Sequence, residues 1–138
     1  MPTQRTLVLL KPDTVRRGLV GNVLSRFEAK GLSIVALDLR TIDGAKADEH
    51  YAEHVDKDFY PPLRAFVTSG PLVSLVLEGD EAVEVVRLLN GATDGRKAAP
   101  GTIRGDLSLS NRENLVHGSD SPESAQREIA IWFPQLVL

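Results

Sequence analysis

The chain has 138 residues, 42% hydrophobic and 25% charged, the make-up of one globular domain with a real core. Its net charge of −3 argues against binding duplex nucleic acid by bulk charge, and the absence of cysteine excludes disulfides and thiolate metal sites. The first apolar run, residues 7–10, is too short for a signal sequence or a membrane span. The expectation is a single cytoplasmic domain over residues 1–138, with no membrane partner and no obligate nucleic-acid partner.

The predicted elements run as follows. Residues 6–10 (TLVLL) form a continuous aliphatic run, which suits a central strand buried on both faces, and Pro12 ends it because it cannot donate to a ladder. Val20, Val23, Leu24 and Phe27 recur at helical spacing, and Gly31 suits the residue after a helix. In residues 32–42, Val35, Leu37 and Leu39 alternate with Ala36, Asp38 and Arg40, which predicts a half-buried strand. Short helices are expected over 45–54 and 61–69, the second closed by Gly70-Pro71.

A third strand is expected over 72–77. Gly79-Asp80 then offers a cap to a helix marked by Val83, Val86 and Leu89 and stopped by Asn90-Gly91. Residues 91–113 have no period and carry glycine, proline and basic residues throughout, so a long loop, functional or disordered, is expected there. A short fourth strand follows at 114–117, with Gly118 read as the turn that leaves it. Ser121-Pro122 caps a last helix with Ala125, Ile129, Trp132 and Phe133 on one face. Without the short pieces the order is βαββαβ. That predicts an α+β fold, a ferredoxin-like βαββαβ sandwich with a four-stranded antiparallel sheet and a long loop before the last strand.

Three histidines are candidates for chemistry. His50 and His54 stand i, i+4 on a predicted helix, but Tyr51 occupies the place where an HExxH metal site needs glutamate. The pair reads as a solvated polar face. His117 sits at a strand end, in NLVHGSDS, before small polar residues. An imidazole titrates near ~6.5, so it is largely a neutral nucleophile at neutral pH. Attack on phosphorus needs the second ring nitrogen anchored and cations around the transferring group. Glu128 could anchor it, and Lys11, Arg87 and Arg104 could supply charge. By spacing alone, a buried histidine bonded to a turn is the simpler reading.

NLVHGSDS, with TIRGD (102–106) upstream and LVLLKPD (7–13) at the start, resembles the nucleoside diphosphate kinase family over nearly the whole chain. The resemblance implies transfer of the γ-phosphate from a nucleoside triphosphate to a diphosphate, by a ping-pong route through a phosphohistidine. On the matching positions, His117 would be the nucleophile, Glu128 would orient its imidazole, and Ser119 would support that carboxylate. Lys11 and Asn114 would hold ribose hydroxyls and phosphate oxygens, with Tyr51 close to the nucleophile. Arg87, Thr93 and Arg104 would grip phosphates, and Phe59, with Leu63 beside it, would stack on the base. The resemblance also implies Mg²⁺ carried on the nucleotide phosphates without direct protein ligands, Asp120 being the nearest indirect contact.

It further implies a homo-oligomer, hexamer or tetramer, with the long loop at subunit contacts. Physically, guanidinium forks match phosphate oxygens and a flat aromatic face accepts any base, so breadth toward the base is expected, and the resemblance implies the same toward ribose and deoxyribose. Two departures stand out. Asn111 replaces a common aliphatic residue against the second face of the base, and Gly95-Arg96-Lys97 adds charge to the loop.

Among the alternatives, a non-catalytic nucleotide-binding module on the same frame would have no use for His117, Glu128 and Asn114 together. A nucleic-acid binder would want a basic stripe with interleaved aromatics, which four Phe, two Tyr and one Trp in an acidic chain do not supply. A hydrolase built on a metal at His50 and His54 is the weakest alternative.

Overall fold

The computed structural model describes residues 3–136. Strand β1 (Thr3–Leu10) is followed at once by the short helix α1 (Pro12–Arg16), then by α2 (Val20–Lys30) and β2 (Ser33–Arg40). Helices α3 (Gly44–His50) and α4 (Tyr60–Val67) lead to β3 (Leu72–Asp80) and α5 (Ala82–Asn90). Helix α6 (Ile103–Leu107), strand β4 (Val116–Gly118), helix α7 (Pro122–Trp132) and a 3₁₀ turn at Pro134–Leu136 complete the order. The sheet runs β2-β3-β1-β4 and every neighbouring pair is antiparallel, which is the expected ferredoxin-like arrangement.

A bare βαββαβ unit covers one sheet face with its two crossover helices. Here both faces are covered. Val8 and Leu10 of β1 join Val73, Leu75 and Leu77 of β3 in a core closed by Val23 and Phe27 of α2 and Val86 of α5. Leu7 and Leu9 point the other way, with Leu72 and Val76, against Phe66 and Val67 of α4 and Ile129 and Trp132 of α7. This explains why β1 reads as an unbroken aliphatic run: alternate residues feed two different cores, and both are dry.

Several local expectations are corrected. Pro12 ends β1 by opening α1 at its first turn, where a missing N–H costs nothing. Strand β3 runs on through Asp80, so the residue capping α5 is Glu81, held in the left-handed region at φ 51 without a side-chain cap bond. Helix α3 stops at His50, and residues 51–59 turn back toward α4. The expected irregular loop 91–113 contains α6, whose start is capped by the Thr102 hydroxyl accepting from the Gly105 amide.

Strand β2 departs most. It is an edge strand with a bulge between Ile34 and Ala36, and Leu37 and Leu39 are 46% and 60% exposed rather than half-buried. They lie opposite Leu75 and Val73, on the sheet face whose core helix α2 does not reach out to cover them.

Gly105, within α6, sits where a Cβ would fall on the carbonyl of Ala99. That obstacle is backbone and cannot rotate away. We expect Gly105→Ala to cost about 1–3 kcal/mol of stability in urea unfolding, the usual range for overpacking. An unchanged midpoint would mean that the segment before α6 relaxes freely.

Candidate active site

The register of β4 sets the site. Val116 lies opposite Leu10 and enters the first core, while His117 lies opposite Leu9 and faces α7. Gly118 is part of this strand rather than the turn after it. A Cβ there would meet Val86 Cγ1 at 2.9 Å and Asn90 Nδ2 at 3.0 Å, so glycine lets α5 cross close to the strand end.

Across from β4, α7 brings Glu128 to His117, with His117 Nε2 2.8 Å from Glu128 Oε1. A carboxylate accepts, so Nε2 carries the ring proton and Nδ1 keeps its lone pair. Ser119, fully buried behind the pair, donates its hydroxyl to the same Glu128 oxygen at 2.8 Å and accepts from the Leu7 amide at 3.3 Å. The His117 side chain is 20% exposed and that of Glu128 is 7%, so the ring can be reached from the cavity while its anchor stays nearly dry.

His117 opens into a cavity of about 840 Å³. Lys11, Tyr51, Arg87, Arg104 and Asn114 line it with His117 and Glu128, and so do Phe59, Leu63 and Thr93. Apart from Ser119, every predicted site residue therefore meets in one space. Phe59 stands 51% exposed, its ring 5.5 Å from that of His54. Leu109, 85% exposed, and Asn111 line the cavity as well.

Helix α6 holds Arg104, whose guanidinium donates to the carbonyls of Asn114, Gly91 and Val116 at 3.2, 2.9 and 2.6 Å. Burial and the neighbouring Arg87 draw its pKa down to about 10. Lys11 Nζ donates to Asn114 Oδ1 at 2.8 Å, and Asn114 Nδ2 donates to the carbonyls of Thr93 and Asn111. Burial and Arg104 bring Lys11 to about 8, against the opposing pull of Asp13. Burial likewise pushes the Asp13 carboxyl above its ordinary range. The Tyr51 hydroxyl is buried with no hydrogen-bond partner among the described residues, and burial together with Glu128 pushes its pKa far up. It remains a neutral donor.

Sequence reasoning misplaced His50. Its side chain is not a solvated face: the residue is 3% exposed, and Trp132 Nε1 donates to its Nδ1 at 3.0 Å. Helix α3 ends against α7, and that packing turns its last residue inward. Burial, then the nearby His117, Arg127 and Lys11, hold the His50 imidazole well below its ordinary titration range. Arg127 was missed too; it donates to the carbonyls of Glu49 and His50 at 3.2 and 3.0 Å, closing the end of α3.

One ligand atom each of His50, His117 and Glu128 lies within 4.8 Å of the others, which resembles a metal site. The hydrogen bonds oppose it. His50 Nδ1 accepts from Trp132, which leaves the ring proton on its Nε2, and Glu128 Oε1 accepts from both His117 and Ser119, so a cation would have to displace that proton or the indole bond and compete for the carboxylate. Among the described residues His54 is not part of that group.

Comparison with known proteins agrees over nearly the whole chain. Residues 4–137 match the family model described as nucleoside diphosphate kinase. A nucleoside diphosphate kinase from a Nocardioides species is 82% identical over 132 residues, covering 96% of this chain and 98% of that one. One from Mycobacteroides abscessus is 62% identical over 135 residues, covering 97% and 99%. The solved structure of a halophilic nucleoside diphosphate kinase from Halobacterium salinarum, in complex with CDP, superposes with a TM-score of 0.93 at 49% identity, covering 96% of this chain and 88% of that one.

Lys11 makes the site's charge measurable. The folded chain releases that proton near pH 8 and the unfolded chain near 10.5, so the unfolded state binds more protons between those values and stability rises with pH across them. The full rise from this group is about 3 kcal/mol. Urea unfolding of the wild type and Lys11→Met at pH 7.5 and 10 is expected to find the rise largely missing from the variant. Parallel curves would show that Lys11 keeps its charge in the fold.

Proposed function

This chain belongs to the nucleoside diphosphate kinase family and transfers phosphate from a nucleoside triphosphate to a nucleoside diphosphate, and we propose that His117 carries the phosphoryl group between the two. The observation that supports this is the bond from His117 Nε2 to Glu128, which leaves the Nδ1 lone pair as the ring's free nucleophile. In the first half-reaction the Nδ1–phosphorus bond forms as the bond from the γ-phosphorus to the bridging oxygen breaks, and the diphosphate leaves. The second half-reaction reverses this with another diphosphate as acceptor. Glu128 accepts the Nε2–H bond throughout and stabilises the positive charge the ring gains on attack, and Ser119 fixes the carboxylate.

Phosphoryl transfer is mostly positioning and charge stabilisation. Arg104 has donors left beyond its carbonyl bonds, and with Arg87 and Lys11 it would spread the charge of the transferring oxygens. The unpartnered Tyr51 hydroxyl would donate to a phosphate oxygen beside His117. Asn114 and Lys11 would hold the ribose and inner phosphates, with Thr93 on the phosphates. Phe59 and Leu63 would carry the base, a contact that reads no base edge and so supports broad specificity.

Mg²⁺ would travel on the nucleotide phosphates, where it neutralises charge. The fitting residue is Asp120, which lines the cavity and is kept ionised by the Ser124 hydroxyl and by Arg87. The whole of residues 1–138 would form one such catalytic domain. The non-catalytic alternative is not favoured, since the chain keeps the anchored histidine and its close relatives are kinases.

Incubation with γ-labelled ATP and Mg²⁺ without acceptor should leave acid-labile, alkali-stable label on the chain. That label should be absent in His117→Gln and should move to GTP when GDP is added. Label persisting in His117→Gln would move the nucleophile elsewhere.

A homo-oligomer, hexamer or tetramer, is also proposed. Its support is the β2 edge, where unpaired backbone groups sit beside exposed Leu37 and Leu39. Light scattering at micromolar concentration should give a multimer that Leu39→Lys dissociates. A stable wild-type monomer would end this reading.

A further inference from the structure

We propose that His50 is a positioning residue for phosphoryl transfer: its buried imidazole, held by Trp132, fixes the ring plane of His117. The proposal rests on the reading of His117 as the nucleophile and adds what aims it.

The bond from His117 Nε2 to Glu128 fixes one point of the ring. One hydrogen bond leaves the ring free to swing about that point. The Nδ1 lone pair lies in the ring plane, so any swing moves it off the line of attack that an in-line displacement requires. A second contact is needed, and His50 supplies it. The His50 and His117 rings stand edge to face, with centroids 4.7 Å apart and planes 82° apart, within the preferred range for aromatic pairs.

A wall aims its neighbour only if it is itself fixed, and His50 is fixed from several sides. Trp132 Nε1 donates to its Nδ1 at 3.0 Å, which also sets its tautomer: the ring is neutral and its proton is on Nε2. Arg127 holds its backbone carbonyl at 3.0 Å. Tyr51 packs against the ring at 4.6 Å and Trp132 at 5.6 Å, both edge to face. Trp132 is anchored in turn, with the Arg40 guanidinium 5.4 Å over its ring and Arg40 donating to its carbonyl at 3.1 Å. The chain of contacts therefore runs from β2 through α7 and the end of α3 to the nucleophile.

Two substitutions separate the ring from its hydrogen bond. In His50→Asn the amide oxygen can still accept from Trp132, but nothing flanks His117. In Trp132→Phe the ring at position 50 stays while its anchor is lost. Single-turnover phosphorylation of the chain by ATP, steady-state kcat and KM, and ¹⁵N spectra of the histidine rings without nucleotide should be recorded for each.

We expect His50→Asn to lower the phosphorylation rate and kcat at least about tenfold with KM nearly unchanged. Its His117 ring signals should broaden or split where the wild type has one sharp Nε2–H form. Trp132→Phe should have a smaller effect of the same kind. If both variants fold, react at the wild-type rate and keep the wild-type His117 signals, His50 is packing alone and the proposal is overturned. Should His50→Asn fail to fold, the Trp132→Phe rate and spectrum decide the matter by the same criterion. A wild-type chain that never becomes labelled on His117 would instead overturn the phosphohistidine reading, and the nucleotide-free spectra would still report whether His50 orders the ring.

Discussion

The site depends on one strained turn. Leu115, a buried non-glycine residue, sits at φ 73, and the Val116 amide donates back to the Asn114 carbonyl at 2.8 Å. That is a γ-turn with a left-handed centre, a conformation that a branched aliphatic residue does not adopt unaided. It persists because its polar groups are taken. The Leu115 amide donates to Asp13 Oδ2 at 3.0 Å, and its carbonyl accepts from the Lys11 amide and the Thr14 hydroxyl at 2.8 and 2.6 Å. The turn bends the chain so that Asn114 meets Lys11 while Val116 and His117 enter the sheet in register with β1. His117 and Lys11 are thus set from the same hinge.

Holding the turn places charge in a buried pocket. Asp13 clamps Leu115 but leaves Oδ1 without a partner among the described residues, and Lys11 and Arg104 are both drawn below their ordinary pKa by burial. Without a ligand, these cations repel one another in a poorly solvated pocket. On the proposed reading a triphosphate would relieve that repulsion and supply the missing acceptors, which would concentrate binding energy where the transferring oxygens sit. The pocket is unfavourable for its own fold in the way that a charge-stabilising site must be.

The sequence was most informative where one physical demand dominates. The run at 6–10 needed two dry faces, Ser121 and Pro122 suit a helix start, and the face Ala125, Ile129 and Trp132 packs as its spacing implies. Motif order picked out residues that, apart from Ser119, line one cavity, although none of them is decisive singly. What it hid depends on distant neighbours. Helix α6 has only 5 residues and is held by the Thr102 cap and by Arg104 reaching three remote carbonyls, which leave no periodic trace. His50 reads as polar because its partner, Trp132, is 82 residues away. The alternation in β2 gave the right element and the wrong burial, because period alone does not say whether a strand lies at an edge.

The second layer of helices explains how an ordinary frame came to hold an anchored histidine. A βαββαβ unit with one open face would leave the ring at position 117 in water, free to rotate and with no anchor. Helix α7 covers that face, and on a single helix Glu128 and Trp132, four residues apart, present a carboxylate and an indole on the same side. The carboxylate bonds His117 directly, while the indole holds the imidazole that flanks it. Arg40 and Lys46 donate to the carbonyls of Trp132 and Ile131 at the end of that helix, so β2 and α3 fix its position. The residues that hold the ring therefore belong to the core that stabilises the fold, and its placement follows from packing already needed to close the sheet.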